Sequence, residues 1–371
     1  MTAWFETLPT LQNITQIWVF LLTWVMAEVF FNVAIRLANR YQIYDQPDFK
    51  RKLHDFPVPT IGGIPLFAAF FLGIVLTQQG WDDMKAPLAG AFICMLLGVV
   101  DDVKPISAVL KLVILFLVTW LVYSISDVKA NLTPFAWLNL LISLIWIVGM
   151  MSAINSLDNM DGLAAGVTAI ACAFIFFIAW EHWQRWLSFM AAGLLAGCLT
   201  FLKYNFFQKR AGIFLGDNGS YFIGFTLACM AMMGAWTNPR IEYSQAERIT
   251  KALLVPPLVL GVPIFDIVTA TVLRLVNKEV ATVKDAIVYC GKDHTSHRLV
   301  ALGFSRREAV LLLWGLGFAL GSVALAIQNI KSPIVCLLLA AAALGGLFVL
   351  AKILNRARVY ESQHTPHAEA E

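Results

Sequence analysis

The chain has 371 residues, 59% of them hydrophobic and 14% charged, with a formal net charge of +3 and a mean hydropathy of +0.72. That composition excludes an ordinary soluble globular domain, and no nucleic-acid partner is expected from so small a net charge. Apolar stretches able to cross a hydrocarbon core of about 30 Å recur along the whole length, which predicts one all-α polytopic membrane domain over residues 1–355 and a polar, disordered tail over 356–371.

In chain order, apolar runs predict eleven spans near residues 15–38, 61–78, 86–100, 107–125, 135–154, 163–180, 186–202, 213–236, 252–273, 308–327 and 333–351. The number falls to ten if the short third run is re-entrant. The N-terminal segment lacks a basic leader and a cleavage signal, so the first span is expected to remain in the mature chain. Six cysteines without paired spacing read as packing residues. With the N-terminus outside and the C-terminus in the cytosol, 20 of the 27 Lys and Arg residues fall on inner segments. The same topology puts four polar clusters on the cytosolic side, which points to one site.

Asp101 and Asp102 close the third span in GVVDDVKPISAVLK, shortly before Lys111. A solvated helix end neutralised by Lys104 and Lys111 would explain them, as would a base or nucleophile beside a metal and a phosphate. In NSLDNMDG, Asn155, Asp158 and Asp161 recur every three residues and share one side of a helix end. They are either a polar turn or hard oxygen ligands of the kind Mg²⁺ prefers. Next, FLGDNGS places Asp217 among glycines at a helix start, as an N-cap or as a holder of metal and phosphate.

Finally, GKDHTSHRL gathers His294, His297 and Arg298 as donors suited to a pyrophosphate; zinc is a weaker reading because no third His or Cys lies at ligand spacing. His54, in the basic segment RKLHDFPVPTIGG, can be explained by contact with lipid headgroups. Asp266, inside the ninth span, is either functional or a helix contact, and Glu28 in the first span is expected to make a helix or subunit contact.

Taken in order, RKLHDFPVPTIGG, DDVKPISAVLK, NSLDNMDG, FLGDNGS, PIFDIVTATVLR and DHTSHRL resemble the polyprenyl-phosphate N-acetylhexosamine-1-phosphate transferases. This superfamily contains the phospho-MurNAc-pentapeptide and undecaprenyl-phosphate GlcNAc-1-phosphate transferases. The resemblance implies a bacterial or archaeal inner-membrane enzyme, magnesium-dependent with Mn²⁺ as a substitute, whose partners are the bilayer, a UDP-sugar and a polyprenyl phosphate. A homodimer is the candidate assembly.

By matching motif positions, Asp217 with Asn155 would hold the metal, and Asp101 and Asp102 would lie beside the polyprenyl phosphate as base or nucleophile. Asp158 would support catalysis. Asp161 and Phe214 would contact uracil; Lys111, His294, His297 and Arg298 would meet phosphates; and Asn205 and Lys52 would touch substrate. One departure stands out: relatives carry a denser histidine group where this chain reads His294-Thr295-Ser296-His297. The missing triple histidine favours GlcNAc-1-phosphate transfer for O-antigen, teichoic acid or exopolysaccharide over the pentapeptide-sugar reaction. A transporter is the rival class, but its sites would sit at mid-membrane, often between repeats, and no repeat is visible.

Overall fold

A computed structural model describes residues 9–44, 57–77, 81–237, 239, 241–282, 285, 289, 291–357 and 359, with side chains from residue 15 onward. The described residues contain thirteen helices. They are α1 (Pro9–Tyr41), α2 (Gly63–Val75), α3 (Trp81–Val103), α4 (Ala108–Ile125), α5 (Ala136–Leu157), α6 (Leu163–Glu181) and α7 (Arg185–Asn205). After these come α8 (Gly216–Met233), α9 (Gln245–Val259), α10 (Gly261–Val276), α11 (Thr295–Ala301), α12 (Arg306–Asn329) and α13 (Pro333–Leu354).

Every expected span carries a helix, with one break and one addition. The ninth span is split into α9 and α10, which meet at 76°. Pro256 and Pro257 in α9 and Pro263 in α10 remove backbone donors around the joint. The addition is the seven-residue α11, which carries the histidine motif.

Among the described residues, eight helices are long and apolar enough to cross a membrane, or nine if the bent pair crosses as one span. The expected eleven is not reached by that measure, for two physical reasons. Helix α2 has only 13 residues, and α8 opens on the polar run Gly-Asp-Asn-Gly-Ser. Neither needs to face lipid. Helix α8 packs against α2, α3 and α5, and its residues from Asn218 to Ala231 are all buried. By contrast, α13 buries only Cys336, Ala340 and Leu354, so most of its apolar surface faces outward.

Two arrangements position the polar end of α8. The segment after residue 57 runs beside the approach to α8, with Phe214 N–H donating to the Pro59 carbonyl at 2.7 Å and Gly62 N–H to the Phe214 carbonyl at 2.9 Å. On the other side α3 approaches so closely at Gly98 that an added Cβ would lie 2.3 Å from the Asn218 backbone nitrogen. Glu28 makes a helix contact, its carboxylate accepting from Lys203 Nζ at 2.7 Å and Tyr204 OH at 2.6 Å and so joining α1 to α7.

The contact at Gly98 gives a direct test. Gly98→Ala should lower the melting temperature in detergent, with an overpacking cost of roughly 1–3 kcal/mol. Gly149→Ala, where a Cβ meets nothing within 4 Å, should be neutral or stabilising through better helix propensity. Equal melting of the two variants would contradict the packing described.

Candidate active site

Helix α8 begins with backbone N–H groups that have no partner within the helix, and an acidic side chain from another helix supplies acceptors for them. Asp102, at the end of α3, accepts from the N–H of Asp217 at 3.0 Å, the N–H of Asn218 at 3.1 Å and the Asn218 side-chain amide at 2.5 Å. Asp158, just past α5, lines the same cavity as Gly216. Gly216 has a φ of +76°, and a Cβ there would fall 2.8 Å from the Asp102 carboxylate. Glycine is therefore required where the chain turns into α8 beside Asp102.

The neighbouring Asp101 is buried, and Tyr221 OH lies 3.5 Å from it and 3.3 Å from Asp217. Asp101 accepts from Lys111 Nζ at 2.5 Å and from the Ile106 N–H at 2.7 Å. Lys111 also lies 3.8 Å from Asp217, so one cation serves two carboxylates. Asn155, near the end of α5, donates through Nδ2 to Asp217 at 2.7 Å and to Ser220 Oγ at 2.9 Å. Its amide oxygen is thereby turned away from both.

Asp102, Asn155, Asp158 and Asp217 line a cavity of about 690 Å³, and Asp101 and Lys111 are outside its lining. Asp161 and Phe214 line it as well. The same lining holds the basic residues Lys209, Arg210, Lys292, His297, Arg306 and Arg307. Burial and the charges of Asp217, Asp102 and Asp161 push the Asp158 pKa up to about 8. Burial, reinforced by His294 and Lys292, brings His297 down to about 4, which leaves a neutral imidazole at neutral pH.

The other members of the histidine motif are used differently. Arg298 is fully buried, with Nε on the Asp293 carbonyl at 2.7 Å. It is absent from the cavity lining, contrary to the expectation that it meets diphosphate. His294 also stands back, its Nδ1 2.8 Å from Asp266 and its Nε2 3.4 Å from the Arg274 guanidinium. Burial works against charging this ring, but Asp266 outweighs it and raises the pKa. The Arg274 contact points instead to a neutral ring protonated on Nδ1, because a guanidinium can only donate. In either state both ring nitrogens are taken up within the α10–α11 contact.

Asn205 lines the cavity, yet its side chain ties the chain together: Oδ1 accepts from Gly162 N–H at 2.6 Å and Nδ2 donates to the Ile213 carbonyl at 2.9 Å. Lys52 and His54 lie outside the described residues.

The profile of glycosyl transferase family 4 matches residues 84–235, which hold the cavity's acids and their supporting helices. A Bacillus subtilis (strain 168) protein named "Probable undecaprenyl-phosphate N-acetylglucosaminyl 1-phosphate transferase" is 30% identical over 304 residues, covering 79% of this chain and 80% of that protein. The chain belongs to glycosyl transferase family 4. Other similar family members include an undecaprenyl-phosphate alpha-N-acetylglucosaminyl 1-phosphate transferase of Haemophilus influenzae (strain ATCC 51907 / DSM 11121 / KW20 / Rd), 25% identical over 75% of this chain and 77% of that protein. A decaprenyl-phosphate N-acetylglucosaminephosphotransferase of Mycobacterium tuberculosis (strain ATCC 25618 / H37Rv) is 34% identical over 45% of this chain and 40% of its own length.

Within this family 4 chain the sequence motifs bring Asp102, Asn155, Asp158, Asp161, Phe214, Asp217 and His297 to one cavity. Of the basic residues in the lining, His297 alone is singled out by the sequence motifs; Lys209, Arg210, Lys292, Arg306 and Arg307 count there only among the inner basic residues. The pairing of Arg306 with Arg307 immediately after the α12 N-cap Ser305 is the available signal.

Asp158 supplies a pH test. Folded, it keeps its proton up to about pH 8, whereas an unfolded Asp releases it near pH 3.9, so the folded state binds more protons between these limits. Stability therefore falls as pH rises through that window. In chelator-containing detergent the melting temperature should decline from about pH 5 to about pH 8, and Asp158→Asn should flatten the decline. An unchanged slope in the variant would rule out Asp158 as its source.

Proposed function

We propose that this chain transfers N-acetylglucosamine 1-phosphate from a UDP-sugar to a polyprenyl phosphate, giving polyprenyl-diphospho-N-acetylglucosamine and UMP. The observation that carries this reading is a cavity at the start of α8 that is lined by four carboxylates together with Lys209, Arg210, Lys292, His297, Arg306 and Arg307. Support for the sugar and the acceptor comes from the relatives, which are named as undecaprenyl- or decaprenyl-phosphate N-acetylglucosaminyl 1-phosphate transferases. Phosphoryl transfer calls for positioning and charge neutralisation more than for covalent machinery.

Lys292, His297, Arg306 and Arg307 line the same cavity as the acids and would bind the donor's diphosphate as charge shifts onto the leaving UMP. Phe214 offers a ring face for the uracil, and Asp161 an acceptor for its N–H. Lys111, held between Asp101 and Asp217, is suited to the acceptor phosphate. Asp102 has three of its acceptor positions filled by α8, so its part is to hold that helix. Asp158 keeps its proton up to about pH 8 in the absence of a cation, so its part is to hold a metal ion and not to take a proton from the acceptor. The cavity end faces the cytosol in this reading, in keeping with the 20 inner basic residues.

Among the described residues no three His, Cys, Asp or Glu side chains are grouped to hold a metal. Magnesium commonly takes one or two carboxylates and completes its shell with substrate phosphates and water, so the donor set fits it. Asp217 and Asp158 are the groups that would hold the ion, with Asn155 orienting Asp217 through its Nδ2. When bound it would neutralise diphosphate charge, and the raised Asp158 pKa marks the same surplus of negative charge.

Membranes holding the protein should release UMP from UDP-GlcNAc and undecaprenyl phosphate, and a chelator should abolish the release. Asp217→Asn should lower the rate by about 100-fold or more, as loss of electrostatic machinery does elsewhere. No UMP from any UDP-N-acetylhexosamine would reject the reaction, and full activity of Asp217→Asn would reject its role.

A further inference from the structure

Helix α11 has seven residues, too few to be stable alone, and yet it carries His297 to the cavity. Buried charge holds it in place. Asp266 of α10 accepts from His294 Nδ1 at 2.8 Å and from the Thr295 N–H at 2.7 Å, at the first turn of α11. Arg274 clamps Asp293 through two bonds of 2.7 Å. These contacts fix α11 to α10, which packs against α5, the helix that ends just before Asp158.

One hydrogen bond reaches the acidic turn directly. Ser296, fully buried, donates from Oγ to Asn159 Oδ1 at 2.7 Å. Asn159 in turn donates from Nδ2 to the Ser156 carbonyl at 2.6 Å, so its amide orientation is fixed from behind. Asn159 follows Asp158 directly in the turn that also holds Asp161, and Ser296 precedes His297 directly. The bond therefore links the Asp158–Asp161 turn to His297, both of which line the cavity, through the shortest covalent path available on each side.

We propose that Ser296 and Asn159 form a positioning pair that sets the spacing between the Asp158–Asp161 turn and His297, and hence the alignment of donor diphosphate against acceptor phosphate. Neither side chain needs to touch the reacting atoms. The inference rests on the transfer reaction proposed above, but the bond itself can be tested without it. Misalignment of groups by about 1 Å can cost roughly 100-fold in rate while leaving ground-state binding in place. The effect should therefore fall on kcat rather than on KM.

Ser296→Ala should lower kcat for UMP release by about 10- to 100-fold with the donor KM changed by less than about threefold. Ser296→Thr, which keeps the hydroxyl, should recover most of the rate. Asn159→Ala should match Ser296→Ala, and the double variant should be no slower than the slower single one. Amide hydrogen exchange across residues 155–163 should quicken in Ser296→Ala whether or not the protein turns over substrate, so failure of the reaction and failure of the pair are distinguishable. The proposal is overturned by unaltered exchange, by additive losses in the double variant, or by a rise in KM at constant kcat. Should Ser296→Ala not fold, Asn159→Ala carries the same tests, and normal kcat and exchange in that variant would overturn the proposal equally.

Discussion

A carboxylate at the end of one transmembrane helix satisfies the backbone at the start of another, and the site depends on that contact. Asp102 of α3 takes the N–H groups of Asp217 and Asn218 together with the Asn218 amide. In a chain surrounded by hydrocarbon, unpaired backbone donors are costly and water is not freely available to meet them. The positive end of the α8 dipole reinforces the attraction to an anion. Helix α8 can then run buried through the centre of the bundle while its first turn opens on the cavity.

That anchor explains why so many acids sit together. Asp102 holds α8, Asp101 holds Lys111, and Asp158 feels the charges of Asp217, Asp102 and Asp161. Their repulsion is a latent affinity for cations. The basic residues of the cavity come from separate elements, the 207–212 loop, the approach to α11, α11 itself and the start of α12, so the shape of the cavity depends on how these are docked. Folded charge pairs such as Arg274 with Asp293 serve that docking, at positions where apolar packing would fix orientation less specifically.

Much of this was legible in the sequence, and the limits have physical causes. Apolar runs located a helix at each expected span, because a membrane segment must be long and apolar, but they overcounted the helices long and apolar enough to cross. The acidic motifs indicated a shared site because Asn155, Asp158 and Asp161 recur with helical period and Asp217 stands among glycines. Spacing along one helix does not say what stands opposite, however. Asp102 therefore reads as a reactive group when its oxygens serve α8, and Arg298 reads as a diphosphate ligand when its guanidinium is buried against backbone carbonyls. Ser296 looks like a gap in a histidine motif, and only the fold shows Asn159 on its other side. The break between α9 and α10 had its prolines in plain view within an otherwise continuous apolar run.

The most direct measurement is amide hydrogen exchange at residues 216–220 in wild type and in Asp102→Ala. If Asp102 anchors the start of α8, exchange there should quicken by about tenfold for each 1.4 kcal/mol of lost local stability, while the centre of α8 keeps its protection. Unchanged protection at residues 216–220 in a folded Asp102→Ala protein would contradict the account.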